Sequence, residues 1–285
     1  MKKFLSLLLA GALTLGLAAC GGGAANTASP SGGSSGDPGT TPETVTIKVG
    51  ASPAPHAEIL AVVEGTLAEQ GYKLEIVEFT DYIVPNEAVE SGEIDANYFQ
   101  HITYMNNFNT EHGTHLVSVG AIHYEPFGIY AGKTAGLDEL KDGAQIGIPN
   151  DPTNGGRALL LLQEQGLITL PADCGLEPTV LDIVENPHNY EIVEMEAAQL
   201  PRSLDSLDIA VINGNYAIQA DLKVSDALAI ESADGTAGVA YANVLTVKEG
   251  NENNEAVQAL LAALQSDAVK TYMEETYGGA VVPVF

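Results

Sequence analysis

From Val45 onward, short β-branched runs alternate with segments whose apolar residues recur every three or four positions. No other feature restricts the fold as much, because this alternation is the pattern of α/β layers, expected here with parallel sheets. VTIKVG (45–50) reads as a strand, and SPAPHAEILAVVEGTLAEQG (52–71) reads as a helix that Gly71 can end. KLEIVEFT (73–80) is a second strand, Asn86 to Ser91 looks helical, and EIDANYF (93–99) starts as a strand. HLVSVGAIHYEPFGIYAG (115–132) is extended, QIGIP (145–149) is a strand, and ALLLLQEQG is a helix closed by Gly166. PTVLDIV (178–184) resembles a strand or turn, and DIAVING (208–214) a buried strand. No internal repeat is visible.

The N-terminal region has a different composition. Lys2 and Lys3 precede an almost wholly apolar stretch, residues 4–19, followed by Cys20. That layout predicts a secretion signal, too short to span a membrane as a helix. Leu17-Ala18-Ala19-Cys20 resembles the lipobox of bacterial lipoproteins, so residues 1–19 are expected to be removed and Cys20 lipidated, which tethers a chain without spanning the bilayer. Residues 20–44, rich in Gly, Ser, Thr, Pro and Ala, lack apolar periodicity and are expected to be a flexible linker. About 240 residues remain for the fold, enough for two modest domains.

Charge and cysteine content exclude several classes. The net charge of −27 becomes −29 once Lys2 and Lys3 are lost, which excludes a nucleic-acid binder. With Cys20 lipidated, Cys174 is the other cysteine, and the pair provides no disulfide framework. His112-Gly-Thr-His115 lies in a polar connector and supplies too few rigid ligands for a zinc site. No nucleophile elbow or His-Glu-x-x-His is present, and no metal, cofactor or catalytic group is expected.

Three stretches carry candidate chemistry. In NDPTNGGRALLLLQEQG (150–166), Asp151 can cap a helix, Pro152 suits its first turn, and Asn154, Gly155 and Gly156 leave the backbone uncovered for an anion. Arg157, one of two arginines, adds a fork that fits a carboxylate; a surface ion pair accounts for it equally well at this point. DANYFQHITYM (95–105) crowds Tyr98, Phe99, His101 and Tyr104 into a chain that is 6% aromatic and lacks Trp. If 99–104 turns helically, His101 and Tyr104 share a face, as a slot lining or as a core patch. Asn213 follows a buried strand and Asn243 precedes or begins one, positions open to a ligand or to a turn.

Longer segments add a resemblance: PHAEIL (55–60), FTDYIVPNEA (79–88), GEIDANYFQH (92–101), PNDPTNGGRALLLLQ (149–163), PTVLDIVENP (178–187), EAAQLPRSLD (196–205), AVINGNYA (210–217), YANVL (241–245) and GGAV (278–281). In this order they resemble the methionine-binding lipoproteins, the substrate-binding component of methionine ABC importers, over Val45 to Phe285. The resemblance implies an α/β, bilobed, type II periplasmic-binding-protein-like clamshell. One lobe would be 45–124 with 235–285 and the other 125–234, joined by a two-crossing hinge. It implies that Arg157 holds an amino-acid carboxylate and that Asn213 and Asn243 bond the polar end. Tyr82, Phe99, His101 and Tyr104 would enclose the thioether. Arg157 would then serve the ligand alone, so replacing it by Ala would leave the empty fold's stability intact. Partners would be methionine (L or D, or a methionine-containing dipeptide), the importer's permease and ATPase, and a membrane through the lipid. The alternatives are a receptor for another small amino acid or dipeptide, a zinc-binding lipoprotein, and a secreted acyl-transfer hydrolase.

Two stretches depart from the family pattern. Glu125 stands next to Pro126 where the pattern is usually less acidic, and SADGTAGVAYAN lacks a Ser-Pro before its Tyr-x-Asn. Arg202 in QLPRSLD is expected to make a structural ion pair.

Overall fold

The computed structural model describes residues 44–232 and 236–285. The chain divides into two units, Met1–Thr41 and Pro42–Phe285, and every described residue belongs to the second. The signal, linker and Cys20 lipidation expected from the sequence lie outside the described residues. Among the described residues no helix is long and apolar enough to cross a membrane.

Among the described residues, eleven strands form two sheets: β1 (Val45–Ala51), β2 (Tyr72–Glu78), β3 (Ala96–His101), β4 (Leu116–Tyr124), β5 (Gly128–Ala131), β6 (Gln145–Pro149), β7 (Glu191–Met195), β8 (Ile209–Ile212), β9 (Ala229–Ile230), β10 (Ala242–Lys248) and β11 (Val282–Pro283). The first sheet runs β11-β4-β10-β3-β1-β2, and the second β7-β6-β8-β5-β9. The chain leaves the first sheet between Tyr124 and Gly128 and returns between Ile230 and Ala242.

The sheets are mixed, which corrects the expectation of parallel ones. β1 pairs in parallel with β2 and β3, and β6 with β7 and β8. β10 runs antiparallel to both β3 and β4, and β5 antiparallel to β8 and β9. Local alternation of strand and helix gives the layers; the direction of a strand that returns from the other sheet is a long-range property.

Each sheet is covered by its own apolar core. Ile47, Val49, Leu60, Leu67, Leu245 and Leu264 pack together around the first sheet, and Ile129, Ile146, Ile148, Leu159, Leu162 and Val211 around the second. Burial of one such side chain stabilises by about 1.5–3 kcal/mol. Gly71 and Gly166, at φ of +87° and +72°, follow the ends of the helices Glu64–Glu69 and Pro152–Glu164, as their positions in the sequence indicated. PTVLDIV forms no strand: Val180–Asp182 is a 3₁₀ turn whose start is closed by reciprocal Thr179 and Asp182 bonds.

Candidate functional site

A narrow slot lies between the two sheets. All seven ligand positions inferred from the sequence line it: Tyr82, Phe99, His101, Tyr104, Arg157, Asn213 and Asn243.

The helix Pro152–Glu164 supplies Arg157. Asp151 caps it by accepting from the Asn154 backbone N–H at 2.9 Å. The two glycines of the motif do not leave amides free for an anion, contrary to the sequence reading. They allow close packing instead: a Cβ on Gly156 would lie 2.7 Å from Glu177 Cα and 2.8 Å from the Leu176 carbonyl, and one on Gly155 2.9 Å from the Pro149 carbonyl. The helix start is thus pressed against backbone, and Arg157 is carried inward with 3% of its surface exposed.

The guanidinium is already engaged. Nε donates to Glu231 Oε1 at 3.0 Å, and Nη2 donates to Glu231 Oε2 at 2.6 Å and to the Glu125 carbonyl at 2.8 Å. Its plane sits over the rings of Tyr241 and Phe127, with its centre 4.2 and 4.5 Å from their centroids. The two-pronged edge expected to take a ligand carboxylate is therefore occupied by Glu231, and Nη1 makes no hydrogen bond to a described residue. Arg157 has a structural role besides any role toward a ligand, which corrects the expectation that the empty fold is indifferent to it.

The aromatic wall comes from two kinds of element, not one helical turn. Phe99 and His101 stand on β3, and Tyr104 lies in the first turn of the helix Ile102–His112. His101 caps that helix, its Nδ1 accepting from the Tyr104 backbone N–H at 3.0 Å. Tyr82 joins Phe99, Tyr104 and Tyr216, with ring centroids 5.7, 5.7 and 5.0 Å away. Such edge and tilted contacts suit aromatic pairs and leave faces for a polarisable sulfur. Burial, aided by the Arg157 charge, lowers the His101 pKa to about 3, so the ring is neutral and donates from Nε2 to Asn154 Oδ1 3.2 Å away.

Amide groups fill the polar end. Asn213 Nδ2 donates to Asn154 Oδ1 at 2.9 Å, and the Asn154 amide donates to both Asp151 carboxylate oxygens at 3.0 Å. Asn213 Oδ1 and Asn215 Nδ2 are buried without a partner, and both residues line the slot. Orphaned groups of this kind cost about 1–3 kcal/mol each, so a ligand that satisfies them recovers that energy. Asn243 Oδ1 lies 3.0 Å from His56 Nε2.

Behind Asn243 lies a buried network whose connections the sequence did not indicate. Tyr98 hydroxyl bonds His123 Nδ1, and His123 Nε2 donates to Glu125 Oε1 at 2.8 Å, with His56 Nε2 3.4 Å from the same oxygen. Burial lowers the His56 pKa to about 4, outweighing the nearby Glu125, and lowers the His123 pKa to about 3. His56, His123 and Glu125 bring potential metal-ligating atoms within 4.8 Å of one another, but polar contacts between these same atoms account for the spacing. His112 stacks on Phe108 and His115 bonds Glu90, so they do not act together.

Sequence reasoning missed Asn154 and Asn215 as site residues. Asn154 was read only for the backbone it leaves uncovered at a helix start, and Asn215 lay unmarked within AVINGNYA. His56 and Gln100 also lay within quoted segments, but nothing local marked them as buried. Arg202 makes no ion pair among the described residues, contrary to expectation, and lines a separate surface recess with Tyr216.

Two mixed α/β sheets, crossed twice by the chain and enclosing a slot of converging polar and aromatic groups, define a two-lobed substrate-binding protein of the periplasmic type. More particularly, the chain belongs to the NlpA lipoprotein family, whose model matches residues 47–285. It is 45% identical over 240 residues to the D-methionine-binding lipoprotein MetQ of Salmonella typhimurium, covering 83% of this chain and 87% of that one. A putative lipoprotein from Ruminococcus gnavus is 56% identical, with a TM-score of 0.83 over 84% of this chain and 99% of its own. A nutrient-binding protein from Burkholderia cenocepacia, solved bound to methionine, is 41% identical, with a TM-score of 0.80 over 84% and 100%.

Proposed function

We propose that this chain is a membrane-anchored substrate-binding lipoprotein that holds methionine in the slot and presents it to the permease and ATPase of an ABC importer. The observation that carries this reading is the pairing of an aromatic wall with unsatisfied amide groups and Arg157 in one buried slot. The names of the relatives point to the same ligand. One lobe is 45–124 with 235–285, the other 125–234, and the hinge lies where the chain passes between sheets. The lipid is carried on Cys20.

In this reading Arg157 meets the ligand carboxylate through Nη1, Asn213 and Asn243 take the ammonium end, and Tyr82, Phe99, His101 and Tyr104 surround the thioether. A charge-assisted bond contributes about 1.5–3 kcal/mol, and burial of the thioether chain roughly as much again. Sulfur–aromatic contacts add about 0.3–1.5 kcal/mol. Several such terms reach micromolar affinity once the cost of association is subtracted. Lobe closure around the ligand supplies a shape that the permease can distinguish from the empty form. Mass spectrometry of the small molecule released from purified protein by denaturation tests the assignment. Methionine is the expected species, and a different amino acid or dipeptide would replace it as the ligand.

A further inference from the structure

Apart from its tyrosines and the neutral His101, the ionisable residues lining the slot are Arg157 and Glu125. Arg157 is already balanced by Glu231. Glu125 has no such partner: its carboxylate is 6% exposed and receives neutral donors, His123 Nε2 at 2.8 Å and the Asn215 backbone N–H. Burial raises its pKa, while His56, Arg157 and the Asn215 amide oppose that rise. The fold makes room for it: a Cβ on Gly214 would lie 2.7 Å from both Glu125 Cβ and Oε2, so any other residue at 214 would displace the carboxylate.

We propose that Glu125 is the counter-charge for the ligand's α-ammonium group, completing a cradle with Asn213 Oδ1 and Asn243 Oδ1. This deepens the function proposed above and rests on it. An ammonium group has three N–H donors and needs three acceptors. Asn213 Oδ1 is buried without a partner, and the Asn243 and Glu125 oxygens converge on the single His56 Nε2 at 3.0 and 3.4 Å. The positive member is tied to the same residue, because Arg157 Nη2 donates to the Glu125 carbonyl at 2.8 Å. The guanidinium and the carboxylate are thus both anchored at residue 125, and a free α-amino acid carries its two charges on one carbon. In a dipeptide the ammonium stands a further residue away, about 3.8 Å between α-carbons. Glu125 therefore selects a free α-amino acid against its N-acyl, desamino and dipeptide forms.

Calorimetric titration of wild type and Glu125→Gln with L-methionine, 4-(methylthio)butanoate, N-acetyl-L-methionine and glycylmethionine tests this. Wild type is expected to bind methionine at least a hundredfold more tightly than the other three. Glu125→Gln should bind methionine at least tenfold more weakly, with affinity for the desamino acid changed less than threefold. Equal losses for both ligands in the variant would show a structural role only and overturn the proposal. Equal wild-type affinities for methionine and the desamino acid would overturn it even if the variant did not fold. Absence of any methionine binding by wild type would instead refute the underlying function, a distinguishable result.

Discussion

The Tyr82 hydroxyl, in the segment between β2 and β3, donates to Asn215 Oδ1 at 2.6 Å in the helix that follows β8, so one hydrogen bond ties together elements of the two sheets across the slot. It fixes the Asn215 amide so that its unpartnered Nδ2 remains the group left for a ligand. Tyr216, next in sequence, reaches back across the same gap to the Thr80 carbonyl at 3.2 Å. Replacing Tyr82 by Phe keeps the ring and removes the tie. Methionine affinity is expected to fall about five- to tenfold, corresponding to a bond worth roughly 1 kcal/mol. Calorimetry reads the loss, while the melting temperature of the empty protein should move little.

Arg157→Ala is expected to weaken both binding and the fold. It leaves the largely covered Glu231 carboxylate without its cationic partner, still held by the Tyr124 hydroxyl, a loss of about 3 kcal/mol. In a chain this size the melting temperature should drop by on the order of 10 °C. Scanning calorimetry of ligand-free protein detects the drop, and titration should show affinity reduced at least tenfold.

Gly156→Ala should destabilise without altering ligand chemistry. The new methyl would stand 2.7 Å from Glu177 Cα, and backbone cannot swing aside as a flexible side chain can. Overpacking of this kind costs about 1–3 kcal/mol. Denaturant unfolding of the purified variant measures it.

Stability should fall as pH drops from 7 towards 5. His56, His101 and His123 have folded pKa values near 4, 3 and 3, well below the ordinary 6.5, so the unfolded chain takes up three protons that the fold excludes. Each such proton costs about 1.4 kcal/mol per pH unit below 6.5 until the folded pKa is reached. Glu125 and Asp151, whose pKa values are raised by burial, act in the opposite sense, but they can hold at most two protons against the three. Thermal melts across this range should show a monotonic decline; a flat profile would mean that the imidazoles titrate normally.

The sequence exposed what depends on local pattern. Alternating strands and helices, Asp151 as a cap and Gly71 and Gly166 as helix ends all follow from neighbouring residues. So did the seven slot positions, through segments whose order resembled a family. Pairings between distant parts of the chain were not visible. Nothing near Arg157 indicates that Glu231, 74 positions later, holds its guanidinium. Nothing near His56 announces Asn243, 187 positions away. The glycines of NGGR looked like an anion nest because the backbone they accommodate comes from residues 176–177, which the local sequence cannot reveal. Parallel sheets were expected for the same reason: β10 returns from the far sheet, and its direction is set by that return.

The most direct measurement is titration of refolded, ligand-free protein with a panel of amino acids. L- or D-methionine should bind one to one at micromolar affinity or tighter, and alanine, glutamate and lysine at least a hundredfold more weakly. Heats for methionine no different from those for alanine would contradict the account.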